Sequence, residues 1–274
     1  LNIEQLKKIT NGKLINIFKN KKLCPGEARN IGLNISKGNY IAFLDVNTIP
    51  ESNWLENSLK LLVNNQDGFL GRTTYKYSND FEKLFIAATY GFKPLYTIPG
   101  SLIKKDLFAK IGWFLPFVRS GEDSDWIKRC LLFNKNIKNK KCPTILYFGL
   151  RNKTFSYLCK KWYKYYYASS SEVQIFQRQK YLYFFFIAIS LILISFNWNY
   201  MFSQWEEDSI FYLPHITKIM FTTIVAIYIV IRIIWLPLLK GFNLKNLNIL
   251  NWAHFIFINI IIDSIKLAAF IVSS

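Results

Sequence analysis

Apolar and polar positions alternate in two rhythms over about the first 150 residues. Short apolar runs read as strands: Leu14–Phe18, Tyr40–Leu44, Phe69–Tyr75, a strand end at Pro99–Ile103, and Ile145–Phe148. Between them apolar residues recur every three to four positions, as one buried helical face requires. Ile3, Leu6 and Ile9 look like the tail of a helix, and Ala28, Ile31 and Ile35 form a second face that Gly38-Asn39 stops. Ser52 is placed as the N-cap of a helix whose Leu55, Leu59 and Leu62 face inward. Residues 80–92 are helix-like, and Asp106 starts a short helix that closes at Gly112. Ser120–Trp126 opens a further helix with Ile127, Cys130 and Leu131 inward. Strands alternating with helices predict an α/β layered sheet. Tyr40–Leu44, apolar throughout, reads as a strand buried on both faces.

The pattern changes after residue 152. Residues 153–180 mix Lys160, Lys161, Lys164, Arg178 and Lys180 with Trp162, Tyr163, Tyr165, Tyr166 and Tyr167. Rings and ammonium groups together suit a membrane interface, and the same mixture suits stacking on single-stranded nucleic acid. The next stretch decides for the membrane. Tyr181 to Trp205 holds no charged residue over 25 positions, and about 20 apolar residues span a bilayer core. Three units follow: 1–152 as the α/β domain, 153–180 as a membrane-interface segment, and 181–274 as a membrane region. Its helices are expected at about 181–200, 216–239 and 247–272. Lys218 and Arg232 are placed near the ends of the second, reaching for headgroups. The last contains Asp263 and Lys266, spaced to pair on one helical face, and reads as a third span or an interfacial helix.

Charge sharpens this division. Residues 1–180 carry 30 Lys and Arg against 13 Asp and Glu, and residues 181–274 carry 5 against 4. The basic domain suits anionic lipid or a phosphorylated substrate. The loop between the first two spans has Glu206, Glu207 and Asp208 and no Lys or Arg, while both outer flanks are basic. The positive-inside rule then puts the large domain in the cytoplasm, on a multi-pass protein of the inner (plasma) membrane. Cys24, Cys130, Cys142 and Cys159 lie far apart with no metal-type spacing, as expected of reduced thiols. The chain opens on Leu1 with no recognisable signal peptide, which reads as an excerpt. His215 and His254 read as structural.

Candidate chemistry rests on carboxylates. Asp45 with Asn47 follows the Tyr40–Leu44 strand, where α/β sheets bind ligands, although an Asp there also opens turns for local reasons. Glu122, Asp123 and Asp125 stand at a helix start, whose N–H groups favour the ionised form. An acidic first turn is itself a common helix signature. Two separated carboxylate positions allow a division of labour, one holding a divalent metal on a diphosphate, the other taking a proton from an attacking hydroxyl.

Taken in order, Ala28-Arg29-Asn30-Ile31-Gly32, Gly38 to Asp45, Pro50, Trp54-Leu55, Gly100 to Lys105, Phe108 to Gly112 and Gly121 to Trp126 with Arg129 resemble the family 2 glycosyltransferases. The likeness covers about residues 12–150. It implies a GT-A-like nucleotide-diphospho-sugar transferase domain, followed here by C-terminal transmembrane helices. It implies transfer of a single hexose-type sugar, with inversion, to a lipid-linked or polysaccharide acceptor in cell-envelope polysaccharide synthesis. The partners implied are the nucleotide diphosphate sugar donor, that acceptor and membrane lipid, with no nucleic acid. Asp45 matches the first carboxylate of the metal-binding D-x-D motif, and Asn47 the second position. Asp123 matches the catalytic base, with Glu122 beside it. Arg29 and Asn30 match a stretch near the nucleotide, and Gly100 and Ser101 a loop lining the donor and acceptor pocket. The implied cofactor is manganese or magnesium. The strand and loop that open the family pattern have no counterpart here, so a catalytically inactive membrane partner is the alternative. The Q-x-x-R-W motif of processive members is also missing.

Overall fold

The computed structural model describes residues 23–63, 66–139, 141–172 and 175–272. The strand predicted at 14–18 and the helix tail before it lie outside these residues.

Helix α1 (Pro25–Ile35) begins with Pro at its first position, where a missing N–H costs nothing. The Cys24 N–H donates to Glu27 Oε2 at 2.9 Å. Its inward face differs from the predicted one. Ala28 and Ile35 are exposed, whereas Gly26 and Leu33 are buried and Arg29 and Asn30 half-buried. Positions 26, 29, 30 and 33 have helical spacing, but two of the four are polar, so apolar periodicity selected the neighbouring stripe.

Strand β1 (Tyr40–Ala42) pairs antiparallel with β4 (Leu95–Lys104), and β3 (Gly68–Tyr75) pairs antiparallel with β4 on its other side. β5 (Thr144–Tyr147) runs parallel to β3, and β2 (Thr48–Pro50) pairs antiparallel with β5. The order is β1-β4-β3-β5-β2, a mixed sheet in which β3 and β4 are the most buried strands. β1 is not buried on both faces as its composition predicted. Ile41 and Phe43 pack on the core, while Ala42 and Leu44 are exposed. The strand follows the two-residue alternation of a pleat with one covered face.

Helix α2 (Trp54–Leu62) has Asn53 rather than Ser52 at its N-cap position, and the Asn53 side chain makes no capping hydrogen bond. Trp54 and Ser58 face inward, and Leu55 and Leu59 are exposed. The buried pair sits one residue before the predicted leucines, which rotates the covered face by about 100°. Helices α3 (Asp80–Ala88), α4 (Asp106–Ile111) and α5 (Glu122–Phe133) fall where the pattern put them.

Two cores result. Leu33, Leu70, Ile103, Phe108, Phe114 and Trp126 join the sheet to α1, α4 and α5. The second joins α3 to the C-terminal helices through Phe85, Ile86, Leu158, Ile233, Phe255 and Ile262. Helix α6 (Phe155–Glu172) therefore has a packing role: Leu158 is fully buried and Trp162 lies against Phe85 and Tyr90.

Helices α8 (Ile216–Leu239) and α9 (Ile249–Val272) are each long and apolar enough to cross a membrane. Helix α7 (Ile175–Ser203) carries a shorter apolar stretch, Ile187–Ser203. Arg232 does not reach outward as the sequence suggested. It is buried in a π-helical turn, Ile229–Trp235, and pairs with Asp263 of α9. Asp263 also takes Lys266 at 2.9 Å, the pairing expected from their spacing.

Candidate active site

The site grows from three local devices. The first clamps α1 to the segment before α5. Asn30 Nδ2 donates to the Phe114 carbonyl at 2.8 Å, and the Phe114 N–H donates to Asn30 Oδ1 at 3.0 Å. Gly26 permits the approach, since a Cβ there would collide with the Leu115 carbonyl oxygen. The second is the start of α5. Gly121 adopts φ +97°, a left-handed turn that glycine adopts without strain, and it swings Glu122 and Asp123 toward α1. The third is the passage from β1 to β2. Between Ala42 and Thr48 the chain moves from one end of the strand order to the other, with Asp45–Asn47 on the way. The Thr48 N–H donates to the Asp45 carbonyl at 3.0 Å and closes that turn.

These devices converge on Arg29. Its Nη1 donates to Glu122 Oε1 at 2.6 Å, and its Nη2 lies 3.8 Å from Asp45 Oδ1. The guanidinium also sits over the Phe114 ring, 5.4 Å from the centroid. Asp123 differs from its neighbours. Its Oδ1 accepts the Ser124 N–H at 2.7 Å, and no cation pairs with it among the described residues. Asp125 is turned away, holding Arg129, which also donates to the Ile111 and Trp113 carbonyls.

Burial pushes the Glu122 carboxyl above its ordinary range, the Asp123 charge adds to this, and Arg29 opposes both. Asp45 is also raised, by burial first, with Arg29 pulling it down and Asp123 pushing it up. Its side chain is 45% exposed, so water screens each effect. The causes show that Asp45, Glu122, Asp123 and Arg29 share one electrostatic environment.

Thus Arg29, Asp45, Glu122 and Asp123 come together, as the sequence grouped them. Asn30 spends its amide on Phe114. Gly100 and Ser101 lie within strand β4 and not in a loop. The Gly100 N–H donates to the Phe43 carbonyl at 2.7 Å, and the Phe43 N–H donates to the Ser101 carbonyl at 3.1 Å. The Ser101 hydroxyl is consumed by the Gly71 N–H and the Thr97 carbonyl. Gly100 and Ser101 therefore hold Phe43, two residues before Asp45. Asn47 is exposed, and its carbonyl accepts the Phe148 N–H.

Among the described residues no group of three or more His, Cys, Asp and Glu side chains converges as a metal cage. Asp45 and Asn47 offer one carboxylate and one amide. That set fits only a hard cation that brings phosphate oxygens and water as its other ligands.

The sequence reading missed three tyrosines beside the carboxylates. Tyr147 pairs with Thr48 on one side and with Tyr75 on the other, so it stands next to the Asp45 turn. Tyr165 of α6 is in the same field: burial raises its hydroxyl, Arg119 opposes this, and Tyr157, Glu122 and Asp123 add to the rise. The available signal was positional: Tyr75 and Tyr147 each close a strand.

Residues 2–121 match the family model for glycosyl transferase family 2. That stretch of the chain is similar to the family 2 glycosyltransferases. An uncharacterized glycosyltransferase of Methanocaldococcus jannaschii is 28% identical over 131 residues, which cover 43% of this chain and 45% of that protein. The chain thus aligns with less than half of that relative's length. The matched stretch takes in α1, the Asp45 turn and strands β1 to β4, and it stops at Gly121, one residue before Glu122.

Proposed function

We propose that this protein is a membrane-anchored, inverting glycosyltransferase of the GT-A type. It moves one sugar from a nucleotide diphosphate sugar to a lipid-linked or polysaccharide acceptor at the cytoplasmic face of the inner (plasma) membrane. The observation that carries the reading is the Arg29 bridge. It joins Asp45 of the β1–β2 crossing to Glu122 of α5 and leaves Asp123 beside them with no cation partner among the described residues.

The roles follow from charge. The acceptor oxygen attacks the anomeric carbon from the face opposite the leaving group. As the C–O bond to the diphosphate breaks, the acceptor proton passes to Asp123. A residue paired with a cation is a poor base, so Asp123 suits this task better than Glu122. Glu122, held by Arg29, borders the acceptor side. Arg29 stands where a nucleotide phosphate competes with Asp45 for its guanidinium. Asp45, with Asn47, would hold a manganese or magnesium ion, which when bound supplies positive charge to the leaving diphosphate.

Anchoring rests on α8 and α9. Along α8, Phe221, Ile227, Val230, Ile231 and Trp235 are exposed, a surface that hydrocarbon covers better than water. Arg232, Asp263 and Lys266 inside these helices are paired with one another, as intramembrane charges are. Acidic residues between α7 and α8 and basic residues on the flanks support a cytoplasmic side for the transferase domain.

The test is Asp123→Asn in the full chain, purified in detergent. Transfer is expected to fall by at least about a hundredfold, as loss of a general base does, with UDP or GDP affinity nearly unchanged. Equal loss of transfer and nucleotide binding would remove Asp123 from the base role.

A further inference from the structure

Beside the carboxylates stands a surface that the catalytic roles leave unused. Tyr75 ends β3 and Tyr147 ends β5, and the two are paired neighbours in the sheet, with ring centroids 5.1 Å apart. Tyr147 is also the partner of Thr48, which closes the Asp45 turn. Tyr75 is braced from behind by Tyr90, stacked at 3.9 Å, and Tyr90 leans on Trp162 of α6. The same helix carries Tyr165.

One face of the Tyr75 ring is spent on Tyr90 and Tyr147 tilts against it, so its hydroxyl edge is what it offers. A half-buried phenol normally finds a hydrogen-bond partner. Among the described residues the hydroxyls of Tyr75, Tyr147 and Tyr165 make none. Burial pushes the Tyr147 hydroxyl up to about 12, and nearby Tyr165 and Asp45 add to this. Tyr75 is raised by burial, by Tyr147 and by the Asp123 and Asp45 charges. All three remain protonated donors at neutral pH. Gly149 makes room for this arrangement, because a Cβ there would collide with the Tyr147 ring and hydroxyl.

We propose that Tyr75 and Tyr147, with Tyr165 of α6, form the acceptor-recognition wall and bind the hydroxyl groups of a sugar acceptor next to Asp123. The proposal rests on the transferase reading above and adds the chemical class of acceptor. Unpartnered hydroxyls suit a neutral polyol, whose own hydroxyls both donate and accept. At the Tyr75–Tyr147 end a lipid phosphate would instead bring negative charge against Asp45, Glu122 and Asp123, with Arg29 already committed to two of them; the other cations near the wall, Arg119 and Lys161 over the Tyr165 ring at 5.5 Å, stand at its α6 end. A sugar on this wall, free or carried on a lipid, presents its hydroxyl to a base without that repulsion. Tyr90 and Trp162 act as positioning residues that fix the Tyr75 ring.

The experiment uses the full chain in detergent and two probes, followed by saturation-transfer NMR. One is a panel of methyl glycosides of glucose, galactose, mannose and N-acetylglucosamine. The other is farnesyl phosphate. UDP and GDP binding is measured in parallel. The expected result is that at least one glycoside binds the wild type. Tyr75→Phe and Tyr147→Phe, each with an unchanged melting temperature, then weaken it about five- to tenfold, the value of one hydrogen bond. Nucleotide affinity stays the same in both variants. Binding of no glycoside, binding of farnesyl phosphate alone, or Phe variants that bind as the wild type does would each overturn the wall. Failure of the wild type to bind any nucleotide would instead sink the transferase reading, and the glycoside arm still reports on the tyrosines.

Discussion

Arg29 Nη1 lies 2.6 Å from Glu122 Oε1, although the two residues are 93 positions apart in the chain. The same guanidinium reaches Asp45 at 3.8 Å. One side chain thus ties α1, the β1–β2 crossing and the start of α5 into a single site. Arg29→Met is expected to destabilise the fold by about 3 kcal/mol, the low end for removing one partner of a buried pair. Thermal unfolding of the purified chain checks this, and an unchanged melting temperature would show that the bridge is unimportant to the fold.

The loss should depend on pH. Glu122 is raised from its ordinary 4.5 by burial and by Asp123, and Arg29 is the ion pair that draws it down. A carboxyl raised in the folded state favours folding fully below its unfolded value, and that contribution fades as pH rises through the folded value. Without Arg29 the folded value climbs further. Arg29→Met should therefore be nearly harmless in acid, where Glu122 is protonated, and most damaging at neutral pH. Unfolding curves for both proteins across that window report the difference, and parallel curves would refute the assignment.

Gly26→Ala inverts a general rule. In an exposed helix the change stabilises by about 1 kcal/mol. Here the new methyl would meet the Leu115 carbonyl oxygen, with Glu122 Cγ at 3.4 Å. Overpacking of this kind typically costs about 1–3 kcal/mol. The expected result is a lower melting temperature together with slower transfer, since α1 and α5 are pushed apart. A stabilised variant would mean that the two do not pack this closely.

Asp263 anchors a charge cluster inside the C-terminal helices. It accepts from Arg232, Lys266 and the Tyr228 hydroxyl, while Arg232 Nη2 also donates to the Ala88 carbonyl at 3.0 Å. Asp263→Leu strands two cations, so it should destabilise the detergent-solubilised protein more than Lys266→Met does. A loss on the order of 3 kcal/mol is expected for the first. The order of melting temperatures decides, and equal effects would argue against Asp263 as the centre of the cluster.

Much of this was readable from the chain, and the failures have physical causes. β3, α4 and α5 follow from strong local signals: a β-rich run, the Asp106 start and Gly112 stop, and Gly121 before an acidic turn. Asp45, Glu122 and Asp123 stand out in the sequence as acidic residues at a strand end and a helix start. The inward face of α1 was missed because Arg29 and Asn30 occupy it, and periodicity counts only apolar side chains. Residues chosen for a site break the pattern that identifies a core. The α2 face was missed by one residue, since Trp54 rather than Leu55 begins it. Composition marked the rings of 153–180 as one interface for lipid headgroups, and it did not single out Trp162, which packs on Phe85 and Tyr90. Arg232 looked like a headgroup ligand because its partner Asp263 lies 31 residues away on another helix.

The most direct test of the account is calorimetry of UDP and GDP on the full chain and on Asp45→Ala, each with and without manganese. If Asp45 holds a cation on a nucleotide diphosphate, wild-type binding requires manganese, and Asp45→Ala weakens it at least about tenfold, as loss of a ligand-shell group does. Wild-type binding that is indifferent to both manganese and Asp45, or no binding of either nucleotide, would contradict the site as drawn.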